Sequence, residues 1–528
     1  MHRVLVCDNV AAAGAELLRE SAEVIQTGAL TQQELITALR GCDALLVRSG
    51  TKVTAQALRA ADALKVVARA GVGVDNIDID AATHNGILVV NSPAGNILAA
   101  AEHSIAMLLA AARNIAQADA SMKAGKFDRK RFMGRQIAGK TLGIMGLGKI
   151  GSEVARRATA FGLDIIAHDP YATHAHAEKL AVRLVEFEEL LVASDFITVH
   201  VPLTDDTRGL IASPALSKMR PHAIVVNCAR GGVIDEQSLL QALEEGRIAG
   251  AAVDVFEGEP EVDWALARHP RVVATPHLGA STSEAQETVA VDAARQILEV
   301  LAGRPPSSPV NVPALSPELV AQMQPYLTVA GYLGRIAHVL IKEAPSEVSV
   351  TASEGAPLSG YTLLISRLVA GLLAGRTDQP VNEVNAIHVA RERGMRISHA
   401  ICSEDPGYSR YVAAQIVCGE TRCDLAAAMI EGDRTRILRI DGFSIDVSPP
   451  GRLMLVWKRN PRVPGFIGAI GSTLAQAGIG IASIEVGLEE IDGMGLLVAH
   501  VDKAVEGPVR DNIARHPEVA RIEMVVLD

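Results

Sequence analysis

Short apolar runs alternate with stretches of helical period over the first hundred residues. The runs fall at residues 4–7, 44–47, 65–68 and 87–91. Strands of this length separated by amphipathic helices predict a parallel sheet with helices on its faces. The pattern breaks at an Ala-rich stretch from 99 to about 122, which predicts one long connecting helix. It then resumes with runs at 141–145, 164–169, 195–200, 223–227, 250–254 and 271–275, a second parallel sheet. An amphipathic segment from 281 to 302 predicts a helix returning to the first sheet, which would make that domain discontinuous. Prolines at 305, 306, 309, 313 and 317 mark a boundary. Residues 318–447 predict helices at 318–341 and 361–375 and strands at 411–418 and 436–440, without a catalytic pattern. After Pro449-Pro450-Gly451 the periods read strand 452–458, helix 464–477, strand 481–488, strand 494–501, helix 507–515 and strand 519–527. This βαββαβ order is the ferredoxin-like split motif, here expected to be a binding or dimerising module.

The expected fold is therefore α/β. Two doubly wound parallel-sheet domains cover 1–98 with 282–308, and 99–281; an α+β domain covers 309–447 and a ferredoxin-like domain 451–528. A length of 528 residues accommodates these units, each large enough for its own core. The formal net charge of −11 argues against a general nucleic-acid or membrane surface. The six cysteines, without CxxC spacing, read as reduced thiols and not as disulfides or a metal site. The longest apolar run, 105–112, is far below membrane-spanning length, and the N-terminal run is too short for a secretory core. A cytoplasmic protein is expected.

The second sheet opens with the most informative stretch. Strand 141–145 runs into Gly146-Leu147-Gly148-Lys149-Ile150-Gly151 and then a helix. Gly146 allows the tight turn, Gly148 lets the backbone approach a pyrophosphate, and Gly151 lets helix and strand pack closely. The helix N-terminus favours the diphosphate. Asp169, eighteen residues beyond Gly151, stands where an acid holds an adenosine ribose 2′-hydroxyl, which favours NAD over NADP.

Open α/β sheets bind ligands at the C-terminal ends of their strands. In the first sheet those ends carry Arg48-Ser49, Arg69 with Gly71, and Asn96, a rim suited to an anion. In the second they carry His200 and Pro202, then Cys228, Ala229 and Arg230, then Asp254 and Glu259, and finally His277, Gly279 and Ala280. Oxidising a 2-hydroxy acid needs a base for the hydroxyl proton, and His277 is suited to it near neutrality. Glu259 would orient the imidazole and stabilise its cationic form. Arg230 can grip a carboxylate with two parallel bonds. Each also has a structural reading: a capping histidine, a loop carboxylate, a strand-end ion pair. Cys228 reads as a soft wall of a nicotinamide pocket and not as a nucleophile.

At these residues the chain resembles the D-isomer-specific 2-hydroxyacid dehydrogenases, and within them the long form acting on 3-phospho-D-glycerate. The resemblance is carried by Val47-Arg48-Ser49 with 51–54, by 69–76, 146–151 and 227–236, by Asp254 to Phe256 with Glu259-Pro260, and by 276–282. It implies Arg230, Glu259 and His277 as the catalytic trio. It places Gly146, Gly148, Lys149, Ile150, Gly151, Asp169, His200, Pro202, Cys228, Ala229, Asp254, Gly279 and Ala280 around NAD. It places Arg48, Ser49, Arg69, Gly71 and Asn96 around a phosphorylated small-molecule substrate. It implies no metal, a homo-oligomer (tetramer or dimer), an intervening domain at 309–447, a C-terminal ACT domain, and allosteric control in L-serine biosynthesis.

Two departures stand out. Serine-binding ACT domains usually carry an Asp shortly before Pro-Gly and an Asn in an Ile-Asn-Ile run. Here Arg462-Val463 precedes Pro464-Gly465, and Ile479-Gly480-Ile481 replaces the run. An amino-acid or anionic effector stays open, with weak or absent inhibition by L-serine expected; Arg391, Arg393 and Arg396 read equally as an anion site or as solvated surface. Phe127, where relatives often have Trp, is the second departure. A glyoxylate or hydroxypyruvate reductase is the nearest alternative, and a non-catalytic NAD-sensing regulator a more distant one.

Overall fold

The computed structural model describes all residues except 355, 358, 359, 378, 379, 403–407, 409, 431–433, 461, 463, 492 and 528, and the side chains of 317 and 488–491. Among the described residues no helix is long and apolar enough to cross a membrane.

The first sheet holds β1 (His2–Val6), β2 (Ala22–Gln26), β3 (Ala44–Val47), β4 (Val66–Arg69) and β5 (Leu88–Asn91), in the order β2-β1-β3-β4-β5. All its pairings are parallel. The edge strand β2 escaped the hydrophobic pattern because its only fully buried side chain is Ala22. Helix Ser283–Leu301 does return to this sheet: Val289, Ala290, Ala293, Ala294 and Ile297 are buried against Val4, Val6, Leu46 and Val90. The contact is close, since a Cβ on Gly14 would lie 2.7 Å from the Ala290 carbonyl oxygen.

The segment after β5 is two helices, Ile97–Arg113 and Ile115–Lys123, and not one. Asn114 takes a left-handed conformation at φ 51°, which ends the first helix and starts the second at a new angle. Asparagine tolerates that conformation better than most residues, a local preference that the apolar period does not report.

The second sheet holds β6 (Thr141–Met145), β7 (Asp164–His168), β8 (Arg183–Leu184), β9 (Phe196–Val199), β10 (Ile224–Asn227), β11 (Gly250–Val253) and β12 (Val272–Ala274). Its order is β12-β11-β10-β9-β6-β7-β8, all parallel. Strand order reverses between β6 and β9, and such a switch point opens a crevice beyond the strand ends.

The third sheet has six strands where the sequence pattern showed two. They are β13 (Glu347–Ala352), β14 (Arg396–Ile401), β15 (Arg410–Cys418), β16 (Thr421–Ile430), β17 (Arg434–Ile440) and β18 (Phe443–Val447), ordered β14-β13-β15-β16-β17-β18. Only β13 and β14 pair in parallel. The fourth sheet comprises β19 (Gly451–Lys458), β20 (Ile481–Ile491), β21 (Met494–Val501) and β22 (Val519–Leu527), ordered β20-β21-β19-β22 and wholly antiparallel. Along β19 the side chains alternate between two cores. Met454 and Val456 meet Phe466, Ile470 and Ile513 on the helical face. Leu453, Leu455 and Trp457 join the core of the third sheet and helix Pro317–Leu340. The Arg521 guanidinium lies over the Trp457 ring and donates to the Leu340 carbonyl at 2.7 Å. The tail is thus packed on its predecessor through one whole sheet face.

Candidate active site

Gly146 lies in the left-handed region at φ 90°, where a Cβ would meet the His200 carbonyl at 2.7 Å. A Cβ on Gly151 would sit 2.0 Å from the Gly146 carbonyl oxygen, so helix Lys149–Ala160 reaches the turn only without a side chain there. Gly148, the N-cap of that helix, faces open space. Lys149 and Ile150 are the first residues of the helix. Asp169 does more than end its strand: its carboxylate accepts the Leu147 N–H at 2.7 Å and the Tyr171 N–H at 2.8 Å. The Asp169 carboxylate therefore clamps the glycine turn.

His200 is bonded to Thr198 Oγ1 at 2.9 Å, and burial pushes its imidazole down to about 4, so it is neutral. The Pro202 carbonyl accepts the Thr207 hydroxyl at 2.6 Å. Ala229 N–H donates to Asn227 Oδ1 at 3.1 Å, shaping the turn that carries Arg230. Burial, reinforced by the Asp254 charge, raises the Cys228 thiol to about 12. A thiol so held is a poor nucleophile.

Asp254 has no exposed side-chain surface. It accepts Thr275 Oγ1 at 2.6 Å, Leu278 N–H at 2.7 Å and Gly279 N–H at 2.9 Å. His103 Nε2 lies 3.1 Å away. Burial would raise this carboxyl, yet these donors together hold it below the ordinary aspartate range. Asp254 thus ties the 275–279 loop, with Gly279 and the adjoining Ala280, to the strand end. That loop carries His277 at φ 54°, a sparsely populated conformation for a side-chain-bearing residue.

His277 Nδ1 stands 2.6 Å from Glu259 Oε2, and Glu259 Oε1 accepts the Phe256 N–H at 2.7 Å. Burial works against the Glu259 anion, but His277 and the Phe256 amide prevail and its carboxyl lies below the usual glutamate range. With Nδ1 committed to Glu259, Nε2 is the free nitrogen of an imidazole that is about half exposed.

Arg230 reaches across to the first sheet. A Cβ on Gly73 would lie 2.3 Å from its Nη2, so that glycine makes room for the guanidinium. Arg230 Nε also lies 3.3 Å from Asp75 Oδ2. Arg69 lies over Gly71, which at φ 150° has its missing Cβ 2.2 Å from Arg69 Nη1. Burial, then the Arg230 charge, and further the Arg48 charge against only partial relief from Asp75 and Asp8, bring Arg69 down to about 10. Its buried Nε has no protein partner, and neither has Asn96 Oδ1 at the cap of helix Ile97–Arg113. Arg48 sits on the neighbouring loop with Ser49 exposed beside it. Asp8 accepts the Arg48 and Thr51 N–H groups at 2.8 and 3.1 Å, and Asn76 donates to the Arg48 and Thr51 carbonyls at 2.7 and 2.8 Å.

Asp8, Asp75, Asn76 and His103 were not singled out by the sequence pattern. Their bonds run to residues distant in the chain, and only the 69–76 motif held a hint, for Asp75 and Asn76.

Residues 105–279 match the family model of the D-isomer specific 2-hydroxyacid dehydrogenase NAD binding domain. Residues 322–441 match that of the D-3-phosphoglycerate dehydrogenase intervening domain. The chain is 41% identical to the D-3-phosphoglycerate dehydrogenase of Bacillus subtilis (strain 168), over 100% of both chains. The chain belongs to the D-3-phosphoglycerate dehydrogenase family. Solved structures of the wider 2-hydroxyacid dehydrogenase group share its fold in part. A glyoxylate reductase from Paecilomyes thermophila superposes with a TM-score of 0.54 and 30% identity, covering 58% of this chain and 98% of its own. A D-lactate dehydrogenase from Aquifex aeolicus, solved with NAD and lactic acid, gives 0.52 and 26%, covering 57% and 96%. Full-length agreement, including the intervening domain, separates this family from those shorter relatives.

Proposed function

We propose that the chain oxidises 3-phospho-D-glycerate to 3-phosphohydroxypyruvate with NAD, the first step of phosphorylated L-serine synthesis. The observation that carries the substrate is the convergence of Arg48, Arg69 and Arg230, with Arg69 pushed down to about 10 by burial and by its two cationic neighbours. A cleft where three guanidinium groups are only partly balanced by Asp75 and Asp8 suits a ligand with both a carboxylate and a phosphate. The unpartnered Arg69 Nε and Asn96 Oδ1 supply further contacts.

NAD fits the second sheet: the open space at Gly148, the helix behind it and the Asp169 carboxylate suit a diphosphate and a free ribose 2′-hydroxyl. Held there, NAD would supply the hydride acceptor for the substrate C2. His277 Nε2 takes the hydroxyl proton, and Glu259, bonded to Nδ1, fixes the ring orientation and balances the imidazolium charge. Arg230 holds the carboxylate through two parallel bonds. Arg48, Ser49, Arg69, Gly71 and Asn96 form the phosphate side. The three strand-end loops that carry His200 and Pro202, Cys228 and Ala229, and Gly279 and Ala280 would wall the nicotinamide, with Asp254 setting the shape of the last.

In this reading 1–98 with 282–308 is the substrate domain, 99–281 the NAD domain, 309–447 the intervening domain and 451–528 the ACT domain. A homo-oligomer belongs to it as well. Helix Ile115–Lys123 has no buried residue, and Met122, Phe127 and Met133, set among lysines and arginines, are 56, 76 and 84% exposed, three apolar side chains suited to cover by a second copy.

Initial rates of NADH formation test the assignment, with 3-phosphoglycerate, D-glycerate and glycerate analogues for the wild type and Arg48→Ala. A preference for the phosphorylated acid by orders of magnitude in kcat/KM, lost in Arg48→Ala, supports it. Equal rates with D-glycerate would make the chain a general 2-hydroxyacid enzyme.

A further inference from the structure

Outside the catalytic cleft, the first sheet's domain and the unit after it meet through a small polar interface. Asn385 Nδ2 donates to the His84 carbonyl at 3.1 Å, and Asn382 Nδ2 to the Gly86 carbonyl at 2.7 Å. Val384 packs against the core of the first sheet. This interface fixes helix Ala386–Glu392 against the end of helix Ile79–His84.

Three donor side chains converge there. His388 and Glu392 are four residues apart and share one helical face, and His84 faces them from the other domain. His84 Nδ1 lies 3.5 Å from His388 Nε2 and 3.8 Å from Glu392 Oε2, while His388 Nε2 lies 3.2 Å from Glu392 Oε1. The two distances from His84 exceed the range of good hydrogen bonds, about 2.7–3.2 Å, and the His388–Glu392 distance sits at its upper limit. The edge of a tetrahedron around a zinc ion with ligands at about 2.0–2.1 Å is roughly 3.3 Å. The 3.5 Å between the two histidine nitrogens is close to that edge, and one carboxylate oxygen of Glu392 lies on the same scale from each of them. The two imidazole rings stand nearly perpendicular, at 84° with centroids 5.6 Å apart, so each can direct a nitrogen lone pair at a common point.

We propose that His84, His388 and Glu392 bind a late first-row divalent cation, zinc foremost, which staples the substrate domain to the intervening domain. Two imidazoles and one carboxylate suit zinc, cobalt or nickel and do not suit calcium or magnesium. All three side chains are between 42 and 50% exposed, so the ion enters from solvent and water completes the coordination. A metal here couples the relative placement of two domains to metal availability, away from the hydride-transfer residues.

Cobalt(II) is the probe, because the other clustered donor set among the described residues, His103 with Cys228 and Asp254, contains a thiol. The full-length, chelator-treated protein is titrated with Co(II) and then displaced with Zn(II). The expected result is one tightly bound ion per chain, visible bands of tetrahedral cobalt and no thiolate charge-transfer band. It should be lost in His388→Gln and in Glu392→Gln, both with wild-type circular dichroism and wild-type basal turnover. Zinc should raise the Tm of the wild type and not of either variant. Cobalt binding with a thiolate band, binding unchanged in both variants, or no binding at micromolar metal would each overturn the proposal.

Discussion

Asp75 Oδ2 stands 3.3 Å from Arg230 Nε, so a carboxylate of the first domain occupies the guanidinium that would receive the substrate. Asp75 is 76% exposed, which makes the pair easily exchanged. A pair of this exposure is worth about 0.2–1 kcal/mol. Asp75→Asn should therefore lower KM for 3-phosphoglycerate by up to about fivefold with little change in kcat. A higher KM in the variant would mean that Asp75 shapes the 69–76 loop and does not compete with substrate.

The second and third glycines of the turn separate binding from folding. In Gly148→Ala the new methyl meets open space, so the fold should be retained and the loss should appear as a weaker Kd for NAD. In Gly151→Ala the methyl would sit 2.0 Å from the Gly146 carbonyl, forcing the helix off the strand and lowering Tm as well. Isothermal titration with NAD beside a thermal melt distinguishes the two. Equal Tm loss in both variants would contradict this division.

Asp254 is the structural root of the loop that carries His277. Asp254→Ala leaves the Leu278 and Gly279 amides and the Thr275 hydroxyl without their acceptor, at about 1–3 kcal/mol for each that stays buried and unmade. Stability in urea should fall by about 3 kcal/mol or more. The sign of the pH dependence follows from the lowered folded-state value. The contribution is fully present above the unfolded aspartate value near 3.9 and disappears as pH falls through the lower folded value. Wild-type stability should thus drop more steeply below about pH 4 than that of Asp254→Asn.

Most of the catalytic half was legible in the chain because its information is local. The strand, turn and helix around Gly146 and Gly151 lie within twenty residues, and strand-end positions follow from period alone. The arginine cluster was legible only as a rim, since its coupling depends on Gly71 and Gly73 admitting two guanidinium groups from different sheets. The third sheet was legible in part. Its buried positions include Ala352, Ala414 and Ala427, whose small side chains give little alternating signal. The break at Asn114 and the role of His103 depend on one backbone conformation and one tertiary contact. Neither leaves a periodic trace.

The ACT-like tail tests how far the resemblance extends. Where serine-binding relatives usually have Asn, this chain has Gly480, whose N–H donates to Asp502 Oδ1 at 2.8 Å. A Cβ at that position would lie 2.8 Å from Asp502 Oδ2, so a larger side chain could not enter without displacing the aspartate. Before the helix, Arg462 stands where an acid is usual, and the adjacent Val463 lies outside the described residues. Losing two hydrogen bonds to an amino-acid ligand, at about 1–3 kcal/mol each, weakens binding by roughly thirtyfold or more. L-serine should therefore leave NADH formation nearly unchanged at the low micromolar concentrations that suffice for tight control. The assay is an initial-rate titration at saturating NAD. An IC50 in the low micromolar range would show that serine is held by groups other than the two missing here, with Asp502 the first to mutate.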